Sequence, residues 1–164
     1  MKIGLLSDTH CLFDEKLKNF FANVDEIWHA GDFGNIETAD AINAFKPLRG
    51  VYGNCDGQDV RIVYPKILRF DCQNIDVMIT HIGGYPSNYY QTIHNEFLIK
   101  PPKLFICGHS HILKVMNDQQ FGFLHINPGA AGSYGFHTVR TAVRFEINDG
   151  NIENLEVGEW KKYE

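Results

Sequence analysis

Short apolar runs alternate with amphipathic stretches over the first third of the chain. Residues 2–6, 26–29 and 48–52 are largely apolar and rich in bulky or β-branched side chains, which is typical of buried strands. Between them, residues 12–24 and 35–45 carry apolar side chains at helical spacing, separated by charged ones. This pattern predicts a β-α-β-α-β opening in which helices cover a sheet.

Strands dominate the remainder of the chain. Residues 67–70 and 77–79 predict two strands joined by a turn, and residues 89–99 predict a helix that ends at Pro101-Pro102. A buried strand at 104–107 precedes runs at 112–116, 121–126 and 140–147 that are expected to be antiparallel, and a hairpin turn at 148–151 leads into 152–157. Helices cannot cover all these strands, so we expect two sheets packed face to face with helices outside. No repeat, low-complexity tract or linker divides residues 1–164, which predicts a single domain.

Composition excludes some classes of function. A formal net charge of −5 argues against an extended nucleic-acid surface, although a phosphate substrate remains compatible because bound cations would set the local field. The four cysteines lack the spacing of a zinc ribbon or a redox motif. There is no secretory apolar segment and no stretch of bilayer-spanning length, so we expect a reduced cytoplasmic protein without a membrane segment.

Metal-seeking side chains follow five of the predicted strands. The carboxyl ends of parallel strands meet along one rim of an α/β fold, which is where ligands bind. In extended segments, residues two apart point the same way, so the pairs at 8 and 10 and at 109 and 111 would each present two ligands to one region. This pattern predicts a site for two metal ions, whose candidate ligands are Asp8, His10, Asp32, Asn54, His81, His109 and His111.

The ligand types indicate the metals and the chemistry. Carboxylate and imidazole together suit Mn²⁺, Fe, Zn²⁺ or Ni²⁺ better than Ca²⁺. Asp32 stands alone in its cluster, and its two oxygens are able to bridge two ions. Two ions about 3.5–4 Å apart clamp a phosphoryl group and hold the attacking water. Gly31, Gly53 and Gly108 each precede a candidate ligand, where a residue without Cβ permits a sharp turn and a close approach.

These motifs resemble those of the calcineurin-like metallophosphoesterases, and within them the small YfcE-like phosphodiesterases. The resemblance covers essentially the whole chain and implies a four-layer α/β/β/α sandwich of two mixed sheets. It also implies that Asp8, His10 and His111 hold one metal and Asn54, His81 and His109 the other, with Asp32 bridging and manganese the commonest activating ion. The motifs are Ser7-Asp8-Thr9-His10, Gly31-Asp32, Gly53-Asn54-Cys55-Asp56, Thr80-His81, Gly108-His109-Ser110-His111 and Asn127-Pro128-Gly129.

Two positions depart from the wider superfamily. Cys55 stands where many members have a histidine that assists the leaving group, and a thiol donates a proton less effectively near neutrality than an imidazolium would. Ala130-Ala131 stands where a serine commonly follows the Asn-Pro-Gly segment. Cys55 and Asp56 are expected near the substrate, with Asp56 holding its loop by hydrogen bonds.

The other aromatic and histidine side chains have plainer interpretations. The histidines outside the ligand set are expected to be structural or exposed, and His137 is the one nearest the substrate loop. A group of tyrosines is open to three interpretations: stacking on a substrate, covering the domain edge or forming a dimer contact. These residues are His29, His94, His125 and His137, and Tyr85, Tyr89 and Tyr90.

The sequence therefore predicts a metal-dependent phosphoesterase, with diesters favoured, that acts on a small phosphate-ester substrate through a bridging hydroxide nucleophile. Asp32, Asn54, His81 and His109 are the predicted catalytic residues. A phosphomonoesterase or nucleotide pyrophosphohydrolase on the same site is one alternative. A non-catalytic interaction scaffold like the retromer subunit with this fold is another, and the complete ligand set argues against it. Exposed aromatic loops leave a homodimer open.

Overall fold

The computed structural model describes residues 1–163 as two five-stranded sheets with helices on their outer faces. The helices are α1 (Glu15–Phe20), α2 (Ile36–Phe45), α3 (Gln58–Val63) and α4 (Gln91–Ile99). The strands are β1 (Lys2–Leu6), β2 (Glu26–His29), β3 (Leu48–Gly50), β4 (Ile67–Cys72), β5 (Ile75–Thr80), β6 (Gly84–Tyr85), β7 (Asn88–Tyr89), β8 (Leu104–Ile106), β9 (Leu113–Asn117), β10 (Leu124–Pro128), β11 (Val139–Asn148) and β12 (Asn151–Lys161). None of the helices among the described residues has the length and apolar character needed to cross a bilayer.

Both large sheets are mixed. The first has the order β12-β11-β1-β2-β3, with β1, β2 and β3 parallel and with β11 and β12 joined to them antiparallel. The second has the order β4-β5-β8-β10-β9, with three parallel strands at its centre and an antiparallel strand at each edge. A short β6–β7 hairpin stands apart from both.

Three apolar clusters hold the layers together. The largest lies between the sheets, where Trp28 and Phe145 of the first sheet pack with Ile106 and Ile126 of the second. The second cluster joins α1 and α2 to the outer face of the first sheet, and the third joins α4 to the outer face of the second. The layers therefore follow the order α/β/β/α, which confirms the predicted four-layer sandwich.

Local structure differs from expectation in several elements. The helix predicted over residues 12–24 is shorter in the structure, where it consists of α1 alone. It begins after Asp14, which caps the first turn by accepting a hydrogen bond from Leu17 N–H at 3.1 Å, and the chain turns away after Phe21. The helix α3 was not predicted. The strand predicted from residue 121 begins at 124, because the Asp118 carboxylate holds Gln120 and Phe121 in a turn.

The pairing of β10 is also different. It was expected to be antiparallel, and it is antiparallel to β9 but parallel to β8. The hydrophobic pattern alone does not specify whether a strand pairs parallel or antiparallel, because a strand buried on both faces has the same composition in either pairing. The interpretation of residues 1–164 as one domain stays a prediction.

Core packing between the sheets can be tested at Ile106. This side chain is 0% exposed between the layers, so Ile106→Ala should lower the free energy of unfolding by about 2–5 kcal/mol through lost burial and a cavity. The matched control is Ile99→Ala at the end of α4, where 82% exposure predicts a change within about 0.5 kcal/mol. Urea denaturation measures both, and equal losses would contradict the assignment of the core.

Candidate metal centre

The candidate ligands come from both sheets. Residues 8–10, 32 and 54 follow β1, β2 and β3 of the first sheet, and residues 81 and 109–111 follow β5 and β8 of the second. Backbone hydrogen bonds tie these loops together: Asp8 N–H donates to Gly31 O at 2.9 Å, and Gly108 N–H donates to His81 O at 2.9 Å. The structure therefore brings all five clusters to one edge where the two sheets meet.

Five of the seven candidates have left-handed backbone conformation. Their φ angles are +54° at Asp8, +44° at His10, +59° at Asp32, +69° at His109 and +59° at His111. Residues with a Cβ seldom adopt this conformation, and such strain concentrates at functional sites. The expectation that extended geometry would aim the pairs 8/10 and 109/111 was therefore wrong in its mechanism. Tight turns aim these side chains at the common centre.

Two of the glycines predicted to matter are needed for close approach. A Cβ added to Gly53 would lie 2.0 Å from Oδ1 of Asp32, and one added to Gly108 would lie 2.0 Å from Oγ of Ser7. Neither glycine has a positive φ, so a side chain is excluded at these positions by lack of space and not by backbone conformation. Any larger residue would displace a carboxylate or its hydrogen-bond donor.

A first group of ligand atoms surrounds Asp8. Its Oδ1 lies 3.1 Å from His111 Nε2 and 4.0 Å from His10 Nε2, while its Oδ2 accepts from Ser7 Oγ at 2.7 Å and from His109 N at 3.1 Å. His10 Nε2 is buried without a hydrogen-bond partner. One carboxylate oxygen is therefore fixed by protein donors. The other faces three imidazoles, because His81 Nε2 also lies 3.9 Å from Oδ1.

A second group surrounds His81. Its Nδ1–H donates to Ala30 O at 2.7 Å, which leaves Nε2 pointing at Asn54 Oδ1 at 3.1 Å and at Asp32 Oδ2 at 3.3 Å. The His109 ring lies beside it, 5.3 Å from centroid to centroid. The same Asp32 Oδ2 lies 3.8 Å from His10 Nε2. The same oxygen of Asp32 therefore lies near both groups, and its bridging of two ions stays a prediction.

The electrostatics of the cluster favour cations. Burial opposes ionisation of Asp32, but the hydrogen bond and positive charge of His81 and the Cys55 N–H outweigh it and hold the Asp32 pKa below its ordinary value. Burial likewise opposes ionisation of Asp8, but His111 and His81 bring its pKa below its ordinary value. The His81 pKa is raised against the effect of burial, because two carboxylates face its ring. Protons on imidazole thus occupy the place that a metal cation would take.

The residues present fit divalent metal ions. Asp8, His10 and His111 offer one atom each, all within 4.8 Å of one another, and Asp8, Asp32 and His81 do the same. A ligand lies about 2.0–2.2 Å from a bound ion, so donors at such separations are able to share one. The partnerless His10 Nε2 faces two carboxylates, and an ion between these groups would satisfy it.

Asp56 fixes the geometry of Asp32 from outside the cluster. Its Oδ2 accepts from Asp32 N–H at 3.0 Å and Gly53 N–H at 2.7 Å, and its Oδ1 accepts from Gly34 N–H at 2.9 Å. It is 3% exposed and belongs to none of the ligand groups. The expected loop-fixing role of Asp56 therefore agrees with its contacts.

Cys55 lies at the mouth of the cluster. Its N–H donates to Asp32 Oδ1 at 2.8 Å, and its thiol lies within 4.8 Å of the ligand atoms of His10 and Asp32. Burial and the neighbouring carboxylates, Asp32 foremost, raise the pKa of the thiol to about 11. The side chain is therefore a neutral thiol at neutral pH, as long as those carboxylates are uncompensated.

His137 contacts a candidate ligand, which its sequence position only hinted at. Its Nε2–H donates to Gly132 O at 2.9 Å, and its Nδ1 lies 3.2 Å from Nδ1 of His111. Because a carbonyl only accepts, His137 Nδ1 carries the lone pair and takes the Nδ1–H of His111. Nε2 of His111 is thereby left to face Asp8. Gly132 N–H in turn donates to Asp8 O at 3.0 Å, which ties this loop to the centre.

Other side chains singled out in the sequence are structural. His29 bonds Thr9 Oγ1 at 2.9 Å and Gly31 N at 3.0 Å, and burial lowers its pKa to about 3, so it braces the ligand loops as a neutral imidazole. Tyr89 donates to Asp118 at 2.8 Å and packs among the phenylalanines of the α4 layer, which removes it as a stacking platform for substrate.

An α/β/β/α sandwich with carboxylates and imidazoles gathered where its sheets meet has the architecture of the metallophosphoesterases. Residues 1–150 match the calcineurin-like phosphoesterase superfamily domain, and the chain belongs to that superfamily. The resemblance seen in the motifs is thus confirmed. Membership implies a phosphoester hydrolase that uses divalent metal ions.

Individual relatives agree with this assignment. A probable metallophosphoesterase of Methanothermobacter thermautotrophicus is 27% identical over 137 residues, which are 79% of this chain and 77% of that protein. A structure described as a novel archaeal phosphodiesterase has a TM-score of 0.75 at 21% identity, covering 98% of this chain and 100% of that one. Vps29 of Chaetomium thermophilum has a TM-score of 0.74 at 14% identity, covering 98% and 93%. At these identities the two structures show likeness of fold alone.

The bracing role of Asp56 predicts a specific loss of stability. Asp56→Asn replaces an accepting oxygen by an amide that faces backbone N–H groups, so the free energy of unfolding should fall by about 1.5–3 kcal/mol. Asp59→Asn is the control, because Asp59 accepts a single exposed bond from Ile36 N at 3.2 Å and should change stability by less than about 1 kcal/mol. Chemical denaturation of metal-free protein compares them. Equal effects would contradict the role given to Asp56.

The raised Cys55 pKa predicts slow alkylation despite exposure of the residue. In chelator-treated protein, the iodoacetamide rate at Cys55 should still be rising above pH 9 toward a midpoint of about 11, because nearby carboxylates disfavour the thiolate. Divalent metal should lower that midpoint by offsetting the carboxylates. Peptide mass spectrometry follows the reaction, with exposed Cys11 as the internal reference. A plateau near about pH 8.5, the value of a free thiol, would contradict this assignment.

Proposed function

We propose that this protein is a phosphodiesterase with a centre for two divalent metal ions. Asp8, His10 and His111 would hold one ion, and Asn54, His81 and His109 the other. The observation that carries the proposal is the position of Asp32, whose Oδ2 lies 3.8 Å from His10 Nε2 in one group and 3.3 Å from His81 Nε2 in the other. Superfamily membership supports the same arrangement.

The bound ions would supply positive charge for the phosphoryl oxygens and a water of lowered pKa as the nucleophile. The chain itself orients the donors. Ala30 O fixes the tautomer of His81, His137 fixes that of His111, and Asp56 holds the backbone that carries Asp32. Preorganised donors of this kind need no rearrangement as charge develops on the substrate.

The source of the proton for the leaving group limits the substrate. Cys55 stands where a histidine would assist, and a thiol donates a proton less effectively near neutrality than an imidazolium would. The substrate class proposed is therefore small phosphodiesters with good leaving groups, protonated by water where necessary. Manganese is the proposed activating ion and the cytoplasm the proposed compartment, with a homodimer as a further possibility for the assembly.

A scaffold role is the second candidate, favoured by the likeness of fold to Vps29. The ligand set supports the enzyme, because all seven positions carry side chains able to bind metal, and five of them form two groups with ligand atoms within 4.8 Å of one another: Asp8, His10 and His111, and Asp8, Asp32 and His81. A scaffold has no need of five residues in strained backbone conformation at this edge. Monoesterase or nucleotide pyrophosphohydrolase activity at the same centre would differ in substrate alone.

Asp32 provides the decisive test. Asp32→Asn should abolish turnover of an aryl phosphodiester with Mn²⁺ and lower metal binding at both positions, because the oxygen shared between the groups is lost. Asp40→Asn on α2 is the control and should retain both properties. Elemental analysis of purified protein should give about two metals per chain, and rates on aryl monoesters, aryl diesters and dinucleotides rank the substrates. Near-normal activity of Asp32→Asn would refute the mechanism.

The contact between His137 and His111 predicts an effect on metal binding. His137→Leu removes the acceptor that fixes the His111 tautomer and should weaken one of the two metals by about 10–100-fold. His137→Gln keeps an acceptor and should restore most of that affinity, while His94→Leu on α4 should change nothing. Competition with a chelating dye measures affinity, and ¹⁵N NMR reads the His111 tautomer. Equal affinity in the leucine and glutamine variants would contradict the positioning role.

A further inference from the structure

A cavity of about 350 Å³ lies beside the metal centre on the outer face of the second sheet. Lys114 and Asn127 face each other across β9 and β10, and His125 lies two residues before Asn127 on the same face of β10. The neighbours Leu124 and Ile126 point the opposite way, into the core between the sheets. The β6–β7 hairpin contributes Gly84 and Tyr85 to the wall.

His125 is a buried polar group without a partner. The residue is 0% exposed, it lines the cavity, and neither ring nitrogen has a hydrogen bond among the described residues. Its nearest ring neighbours, Phe105 at 5.6 Å and Tyr89 at 6.1 Å, supply apolar walls. Burial, with the charge of Lys114 adding to it, lowers the pKa of His125 to about 4, so the ring is neutral and offers one N–H donor. Buried polar groups of this kind are nearly always satisfied in native proteins.

The remaining polar groups of the cavity are mainly donors. The Lys114 ammonium lies 4.6 Å from the Tyr85 ring centroid and forms no ion pair within residues 1–163. Ser110 Oγ accepts from Asn127 Nδ2 at 3.0 Å and from Ile112 N at 3.3 Å, which leaves its own proton to donate. The Asn127 side-chain amide nitrogen already donates hydrogen bonds to Gly108 O and to Ser110 Oγ.

No carboxylate lines this cavity in the described part of the chain. The nearest acidic group that acts on His125 is Asp118, and its oxygens are already taken by Tyr89 Oη at 2.8 Å and by the N–H groups of Gln120 and Phe121. A cation, a hydroxyl and an imidazole N–H without a competing acid are the donor set that suits an anion.

The cavity lies next to the candidate metal centre and shares part of its wall with it. Ser110 lies between the candidate ligands His109 and His111. A neighbouring cavity of about 260 Å³ is lined by His109 and Tyr90 and shares Gly84, Tyr85 and Ser110 with the first. A molecule with its phosphoryl group at the metal centre would reach the donor set of Lys114, Ser110 and His125 past the side of Ser110.

We propose that this cavity is an anion subsite, in which Lys114, Ser110 and His125 bind a second phosphate or carboxylate carried by the substrate. The inference rests on the proposed function and narrows it to phosphoesters that bear a further anionic group. The Lys114 ammonium supplies the charge, Ser110 and His125 supply directed hydrogen bonds, and Tyr85 holds the ammonium in place. Each group thereby gains the partner that the protein itself does not provide.

The test has two arms. In the first, chelator-treated protein is titrated with inorganic phosphate while ¹⁵N NMR follows the His125 ring, whose signals are assigned from their loss in His125→Gln. The ring signals should shift and saturate in the wild type, and Lys114→Met should abolish this response. Lys46→Met is the matched control, because Lys46 also lies over an aromatic ring, Phe45 at 5.7 Å, on the first sheet's helix layer. Its response should equal that of the wild type.

The second arm compares an aryl phosphodiester with the same ester carrying a further phosphate on its second alcohol. Lys114→Met should raise KM for the phosphate-bearing ester by about tenfold, with kcat changed less than about twofold and with KM for the plain ester unchanged. A structural role of Lys114 would move both substrates alike. A carboxylate-bearing ester in the same assay distinguishes the two anion types.

The possible failures are distinguishable. An unshifted His125 ring, or one that shifts equally in Lys114→Met, would mean that the cavity holds solvent alone and would overturn the subsite. Turnover of both esters without a Lys114-dependent difference in KM would overturn its substrate role while leaving the proposed function intact. Absence of turnover on either ester with any metal would overturn the proposed function and the substrate role together, and the phosphate titration would then decide the subsite.

Discussion

The structure depends on holding two ionised carboxylates, Asp8 and Asp32, in the buried edge where the two sheets meet. Charges removed from water are costly unless they are paired, and like charges in one site repel each other. Three imidazoles face these carboxylates, and the raised pKa of His81 records their attraction for positive charge. Nε2 of His10 is buried without a hydrogen-bond partner, so the imidazoles do not fully compensate the negative charge of the two carboxylates. Divalent cations of the kind that the superfamily uses would supply the remaining positive charge, so the same electrostatic imbalance that strains the protein alone would create the proposed catalytic centre.

The backbone conformation around the centre holds these carboxylates and imidazoles close together. Five candidate ligands lie in left-handed turns, each of which costs free energy that surrounding packing must offset. This cost is offset by backbone hydrogen bonds between the loops and by the Asp56 carboxylate, which accepts hydrogen bonds from three backbone N–H groups. The hydrogen bond between His29 and Thr9 contributes as well. Since strands of both sheets supply the ligands, packing between the layers and geometry of the site are coupled. Stability and function therefore share the same contacts here.

Fold alone does not distinguish an enzyme from a scaffold, because the sandwich resembles both an archaeal phosphodiesterase and Vps29 at low identity. The distinction lies in the side chains at the rim. The candidate ligand set would make the chemistry available, and the proposed anion subsite beside it would select among the esters. The wall formed by Tyr85, Ser110 and Lys114 lies next to the motifs that place the chain in its superfamily.

The sequence by itself predicted the layers, which the structure confirms, and it named the candidate ligands. Apolar runs marked the buried strands, and the polar side chain after each run marked the rim, because strand ends are local features that periodicity reports. The same reasoning failed where a choice depends on distant partners: β10 pairs in opposite senses with its two neighbours, α3 is too short to carry a periodic signal, and turns rather than extended segments aim residues 8–10 and 109–111. Only the tertiary structure placed His137 against His111 and left His125 without a partner beside Lys114. Those relations join residues far apart in the chain, and no local pattern encodes the distance between two such atoms.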